Sequence, residues 1–392
     1  MGSRAGLGKG PDWQSAIEQA LQQCGTGPCD LAFVFASPEY QDHYREVLAA
    51  VREAVAPAHL LGCSGQGVIT TGREVEGEPA ISVLCLSLPG ARLAALRLRQ
   101  EDTFSATTAE AWHRRTRLAP DGVGAWVILA DPFSFDTEAL LAALSVAYPG
   151  VPLVGGLASS APGARRTRLF LDGHVHESGA LLLGIGGGWT VRAVVSQGAE
   201  PIGETWTITA AQHNVIRGLG GRTPLEVLVD TLRDLPPELQ QRASRNLLVG
   251  LAMDEYRDTF ARGDFLIRNL VGVDQAAGAI AIGDRPRVGQ TLQFQVRDAA
   301  AAADELDAML EEAAGQLAGL EPAGALLCSC NGRGIGLFGA PDHDAGAIRQ
   351  RFGDLPVAGF FCNGEIGPVG GKNFLHGFTA SIAFFVPAPT AE

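Results

Sequence analysis

The chain has 392 residues, 46% hydrophobic and 19% charged, the make-up of an ordinary globular protein of two or three domains or one large core. A net charge of −13 argues against nonspecific binding to nucleic acid or anionic membrane, which needs clustered Lys and Arg. No run reaches the roughly 18 uncharged apolar residues of a membrane span, and seven cysteines, an odd number, suit a reduced cytoplasm better than a disulfide framework.

Residues 1–11 are polar and glycine-rich and are expected to be disordered. Trp13, Ile17, Ala20 and Leu21 recur at helical spacing, so residues 12–24 should form an amphipathic helix, stopped by Thr26-Gly27-Pro28. Residues 30–37 (DLAFVFAS) read as a buried strand and 39–55 as a helix. A strand at 59–61 then breaks into Gly62-Cys63-Ser64-Gly65-Gln66-Gly67. The pattern recurs. A strand at 125–131 leads to a helix at 136–148, and Pro152-Leu153-Val154 breaks into Gly155-Gly156-Leu157-Ala158-Ser159-Ser160. A degenerate copy starts at 246–252 and reaches Gly272 with no clear helix between. Near the C-terminus, a strand at 324–330 is followed by a helix at 342–352, and a strand at 356–361 ends in Cys362-Asn363-Gly364-Glu365.

A candidate helix precedes each copy and hairpin-like strands follow it, so the chain reads as four divergent units, with Cys63, Ser159 and Cys362 expected at equivalent strand ends. The expected fold is α/β: mixed sheets built from repeated β-α-β plus hairpin units, helices on the outer faces, and two pseudo-related halves. Leu235-Pro236-Pro237 reads as a linker, and a domain boundary is expected between Ala199 and Arg222.

Arg333 and Glu365 each follow an apolar strand, where a charge is costly unless it is paired or faces a ligand. A guanidinium binds a carboxylate through two parallel hydrogen bonds and a carboxylate receives an ammonium group, which suits a zwitterionic amino acid. Strand ends joined by a helical crossover share one sheet edge, so both residues are expected on the rim of one pocket. Asn331, Phe360, Asn363, Cys330 and Cys362 would lie beside them, and the loops carrying Cys63, Ser64, Gly65, Gly156 and Ser159 would line it further. The other reading is that Arg333 and Glu365 pair only with each other.

Cys63 or Cys362 could serve instead as a nucleophile in a hydrolase or transferase, but no basic neighbour that would activate either thiol is evident. Cys63 is therefore expected to be structural. The Cys-x-Cys spacing of Cys328 and Cys330 is not that of common zinc folds, and no metal or cofactor is expected. Gly334-Ile335-Gly336-Leu337-Phe338-Gly339 matches the dinucleotide fingerprint in letters only, because the helix opens after its last glycine.

Several segments carry a resemblance. They are LLGCSGQGVIT, PLVGGLASS, FLDGHVHESGALLLGIG, the junction GGRTPLEVL, CNGRG, VAGFFCNGEIGP and the closing NFLHGFTASIAFF. In these the chain resembles the FIST family, a sensory module with an N-terminal and a C-terminal half. The resemblance implies a FIST N-terminal domain over residues 12–210, a C-terminal domain over 211–387 and a loose tail at 388–392. It also implies binding of small ligands such as amino acids, without catalysis, in intracellular signal transduction. No kinase, cyclase or receptor-like segment is left over, so output is expected to pass through a signalling partner.

Overall fold

The computed structural model describes residues 2–257 and 259–389. In chain order it begins with β1 (Arg4–Lys9), α1 (Trp13–Cys24), β2 (Leu31–Ala36), α2 (Tyr44–Val55), β3 (His59–Ser64), β4 (Gly67–Thr70), β5 (Arg73–Glu76) and β6 (Ala80–Leu86). There follow β7 (Arg92–Leu98), α3 (Gln100–Ser105), α4 (Ala109–Thr116), β8 (Ala125–Ala130), α5 (Thr137–Ala147), β9 (Leu153–Leu157), β10 (Leu169–Leu171), β11 (His174–His176), β12 (Ala180–Gly186) and β13 (Trp189–Ser196). The middle holds β14 (Ala199–Gln212), β15 (Val215–Leu219), α6 (Pro224–Arg233), α7 (Pro237–Asn246), β16 (Leu247–Ala252), β17 (Phe265–Asp274), β18 (Ala279–Ile282) and β19 (Thr291–Arg297). The chain closes with α8 (Ala299–Gln316), β20 (Gly324–Cys330), α9 (Ile335–Phe338), α10 (His343–Phe352), β21 (Val357–Cys362), β22 (Glu365–Val369), β23 (Lys372–His376) and β24 (Ala380–Pro387).

Two compact units result. One comprises residues 1–195, 307–375 and 379–392, the other residues 196–306 with 376–378. The first contains three parallel β-α-β pairs, β2 with β3, β8 with β9 and β20 with β21. Each pair sits in a six-stranded mixed sheet: β1-β6-β2-β3-β10-β11, β23-β22-β9-β8-β12-β7, and β13-β24-β20-β21-β4-β5. The hairpin leaving each pair does not stay with it. Strand β4 crosses from the first pair to β21, β10 from the second pair to β3, and β22 from the third pair to β9. The exchange is cyclic, so each sheet is completed by a hairpin from another repeat.

Alternation along the strands fixes the layering. Leu31, Phe33 and Phe35 of β2, Val127 and Leu129 of β8, and Leu326 and Cys328 of β20 meet in one shared core. The intervening Ala32, Val34 and Ala36 pack with Ile17, Val47 and Val51 of α1 and α2, and Trp126 and Ile128 pack with Leu140 and Leu144 of α5. The sheets therefore face one another across a common interior with helices outside. Each large apolar side chain buried there contributes on the order of 1.5–3 kcal/mol.

The second unit is a closed barrel in the order β14-β15-β18-β17-β16-β19. Its core joins Ile208, Val249, Ile280 and Phe294 to Val227 and Leu228 of α6. A capping box between Thr223 and Glu226, with Pro224 in the first turn, starts that helix.

Several expectations need correction. Residues 4–9, expected to be disordered, form β1, paired with β6 from Arg4 opposite Cys85 to Lys9 opposite Ala80. Backbone ladder bonds, not side-chain patterning, hold this glycine-rich strand. The fourth repeat does not form, because β16 turns directly into antiparallel β17 and both belong to the barrel. The pseudo-repetition is thus three units of one body, and the barrel is a unit of its own. A boundary at 210/211 would cut through β14. Leu235-Pro236-Pro237 opens α7 rather than a linker, with proline in its first turn. Of the tail expected to be loose, residues 390–392 lie outside the described residues.

Candidate functional site

The strands β3 and β9 do not break at their glycines. Gly62, Gly155 and Gly359 lie mid-strand opposite Val34, Ile128 and Leu327. A Cβ at any of the three would run into the carbonyl oxygen of that opposite residue. The same steric demand at the same place in each parallel pair aligns the three repeats. Cys63 then corresponds to Gly156 and Phe360, while Ser159 corresponds to Gln66 and Asn363. Cys63, Ser159 and Cys362, expected at equivalent positions, are not equivalent. The strands extend further than the glycine loops suggested and shift the register.

Gln66, Ser159 and Asn363 mark the end of the parallel strands in each repeat, and hydrogen bonds link them in a ring. The amide of Ser159 donates to the carbonyl of Ser64 at 3.1 Å, and that of Asn363 donates to the carbonyl of Leu157 at 3.1 Å. The third link runs through a hydroxyl. Gln66 N donates to Ser159 Oγ at 2.7 Å, and Ser159 Oγ donates to the carbonyl of Phe361. Ser64 Oγ reinforces the ring by donating to the carbonyl of Ser159 at 2.8 Å. Three sheet ends are thereby tied together where their backbone groups would otherwise be orphaned.

Asn331, just past β20, donates its Nδ2 to Asn363 Oδ1 at 2.9 Å, and Asn363 Nδ2 donates to the carbonyl of Ala158 at 3.0 Å. Asn363 is exposed, whereas Asn331 Oδ1 is buried with no hydrogen-bond partner. Such an acceptor costs about 1–3 kcal/mol unless something donates to it. Cys330 and Gln66 are half-buried; Gly65 and Gly156 are buried, and the inward side of Gly156 faces the Cys328 thiol.

Arg333 and Glu365 are not on an open rim; both are fully buried. Arg333 forms a fork with Asp344 of α10, Nε to Oδ2 at 2.7 Å and Nη2 to Oδ1 at 2.8 Å. Ser329 Oγ donates to the same carboxylate at 2.9 Å, and His343 Nδ1 lies 3.0 Å from it. Burial pushes the Asp344 carboxyl up, but the Arg333 charge and the His343 and Arg333 hydrogen bonds outweigh it and hold the group well below the usual range. The Phe338 ring lies flat against His343 and beneath the Arg333 guanidinium. Glu74 of β5 is buried beside this pair and accepts from the amide of Ala345 at 2.9 Å, while its Oε2 has no partner. Burial, with the Asp344 charge adding to it, pushes Glu74 up to about 8.

Glu365 receives the Thr379 amide at 3.0 Å and the Thr379 hydroxyl at 2.7 Å on Oε2, and the Cys362 thiol at 3.1 Å on Oε1. Burial pushes its carboxyl up to about 7 despite these donors. Arg333 is thus engaged by Asp344, and Glu365 by Thr379 and Cys362, all in the buried interior and not at an open clamp. Phe360 lies in the common core, stacked on Phe35 at 4.8 Å. Cys63 and Cys362 are fully buried, and burial pushes both thiols well above their ordinary range, the reverse of an activated nucleophile. His59, the histidine nearest Cys63 in sequence, pairs with Asp172 at 3.1 Å.

Two family models cover most of the chain, the FIST N domain over residues 30–222 and the FIST C domain over residues 224–368. The chain belongs to the FIST family. An uncharacterized protein of Mycobacterium tuberculosis is 42% identical over 385 residues, 97% of this chain and 98% of its own length. Another, from Mycobacterium bovis, is 40% identical over 377 residues, 95% of each chain. A solved structure described under cyanuric acid hydrolase covers 99% of this chain at 11% identity with a TM-score of 0.33, too low to carry an argument. FIST domains are described as small-ligand sensory domains.

Of the residues expected at the FIST site, the ring brings together Ser64, Ser159, Asn331 and Asn363. Arg333, Glu365, Phe360, Cys63 and Cys362 belong to the buried scaffold beneath the strand ends. Gln66 was missed. Its signal was in the sequence: Gln66, Ser159 and Asn363 each stand four residues after the strand glycine of their repeat.

Proposed function

We propose that this FIST protein binds a small polar metabolite at the ring of strand ends, with amino acids and related amines the first class to consider. It acts without catalysis, in the cytoplasm, through a signalling partner. The observation that carries the proposal is the buried Oδ1 of Asn331, an acceptor without a donor beside the exposed Asn363. An ammonium or amide N–H on a ligand satisfies that atom. The depressed reactivity expected of the buried Cys63 and Cys362 thiols supports binding over covalent chemistry. No helix among the described residues is long and apolar enough to cross a membrane.

A thermal-shift screen of the twenty amino acids, simple amines and amides tests this. A bound compound at a hundredfold over its Kd stabilises by about 2.7 kcal/mol. The shift should vanish in Asn331→Ala, which stays folded, and weaken in Asn363→Ala. A ligand whose affinity is unchanged in Asn331→Ala would place binding elsewhere.

A further inference from the structure

Three of the seven cysteines meet on the helix-facing side of the first sheet, away from the ring. Cys24 ends α1, Cys85 lies on β6, and Cys29 follows the turn Gly25-Thr26-Gly27-Pro28; all three pack in one cluster. Cys24 and Cys85 are buried, while Cys29 is half-buried and reachable from solvent. Cys24 Sγ donates to Cys85 Sγ at 3.4 Å, and Cys29 packs against the same cluster, where its thiol interacts with Cys85. The cluster therefore joins two buried thiols to one that solvent reaches.

Arg4 spans the cluster. It stands opposite Cys85 in the β1–β6 register, and its Nη2 donates to the carbonyl of Gly27 at 2.8 Å. The Cys85 hydrogen bond and the Arg4 charge outweigh burial, Cys24 and the neighbouring Asp30, and hold the Cys29 thiol below its ordinary range. The Cys24 bond lowers Cys85, but its bond to Cys29 and burial outweigh that and push it up to about 12; Cys24 is pushed higher still by its bond to Cys85 and by burial. One thiol is thus biased toward the thiolate and two toward the protonated form. Among the described residues no three His, Cys, Asp or Glu side chains are disposed to hold a metal ion.

We infer that Cys29, Cys85 and Cys24 form a redox modification site, at which a hydroperoxide oxidises Cys29 and Cys85 resolves it as a disulfide. The Cys29 thiolate attacks the O–O bond; an S–O bond forms, the O–O bond breaks, and the leaving oxygen takes a proton to depart as water or an alcohol. Sulfur has then lost two electrons and the peroxide has gained them. Cys85 sulfur attacks the resulting sulfenic acid, an S–S bond forms, and the hydroxyl leaves as water with the Cys85 proton. Cys24, in contact with Cys85, can exchange into the disulfide and return Cys29 to the thiol. The sulfurs of Cys24 and Cys85 need to close only from 3.4 Å to about 2.05 Å. The site is independent of the ring and of whatever ligand binds there.

The test uses the whole protein. Hydrogen peroxide is added in stoichiometric steps, free thiols are blocked, and the non-reduced digest is mapped by mass spectrometry. The expected product is a Cys29–Cys85 or Cys24–Cys85 link, reversed by dithiothreitol and absent from Cys29→Ser. In the reduced protein, iodoacetamide at neutral pH should modify Cys29 about tenfold faster than the half-buried Cys330, and Arg4→Gln should remove part of that advantage. In Cys85→Ala, dimedone should trap the sulfenic acid on Cys29. The Cys29→Ser variant changes a half-buried position, and the wild-type map needs no variant at all. Peroxide that leaves all three thiols free, or that carries Cys29 to the sulfinic acid with no disulfide, overturns the inference. So does equal labelling of Cys29 and Cys330.

Discussion

Removing Arg333 should destabilise the unliganded protein, not merely blunt a ligand response. In the native state Arg333 is fully buried and gives Asp344 two hydrogen bonds of 2.7 and 2.8 Å. Arg333→Ala deletes both and leaves the Asp344 carboxylate buried with only Ser329 and His343 to solvate it. Breaking a buried pair from one side costs about 3–5 kcal/mol, because the remaining charge keeps its desolvation penalty. For a body of this size that is a fall in Tm of roughly 6–10 °C. Urea unfolding of wild type, Arg333→Ala, Asp344→Asn and the double variant Arg333→Met/Asp344→Leu measures it. The double variant should recover most of the loss, since no charge is left unpaired. A loss below about 1 kcal/mol in Arg333→Ala, or a double variant no better than the singles, refutes the reasoning.

Stability should also fall as pH rises from about 5 to 8.5. Folded Glu365 and Glu74 keep their protons to about 7 and about 8, whereas the unfolded chain releases them near its ordinary value. Their contribution is complete below the unfolded pKa and lost as pH rises through the folded values, at about 1.4 kcal/mol per pH unit per group at most. Glu365→Gln should flatten the urea-midpoint profile in that window; an unchanged slope counts against the assignment. Ser159→Ala should cost about 1–3 kcal/mol, because it strips the buried Phe361 carbonyl and the Gln66 amide of their shared partner. Calorimetry that shows no change would remove the Ser159 hydroxyl from the ring. Gly62→Ala, Gly155→Ala and Gly359→Ala should each be poorly tolerated to a similar degree, well beyond the roughly 1 kcal/mol scatter of ordinary substitutions, while Gly77→Ala, whose Cβ meets open space but whose φ is positive, should cost less. Soluble yield and Tm of the four variants decide it, and three unequal effects would argue against equivalence of the repeats.

Local structure was legible because it is set by nearest neighbours. Helix α1 follows from the spacing of Ile17 and Ala20 with Asp12 as its N-cap, and the three parallel pairs follow from apolar runs separated by a helix. Family membership was legible too, since it rests on the order of short segments along the chain. Strand β1 was not, because Arg4-Ala5-Gly6-Leu7-Gly8-Lys9 has little side-chain pattern and owes its form to the edge of β6. The chain also marks three glycines each followed four residues later by Gln66, Ser159 or Asn363, but only register shows that these are one set of positions. Tertiary structure alone decided the rest. A charge after an apolar strand announces that it needs a partner, and it does not say which. Arg333 found Asp344, 11 residues on, in the helix that follows it, and Glu365 found Thr379, 14 residues on, because both groups are folded out of water and the polar groups packed beside them must take its place.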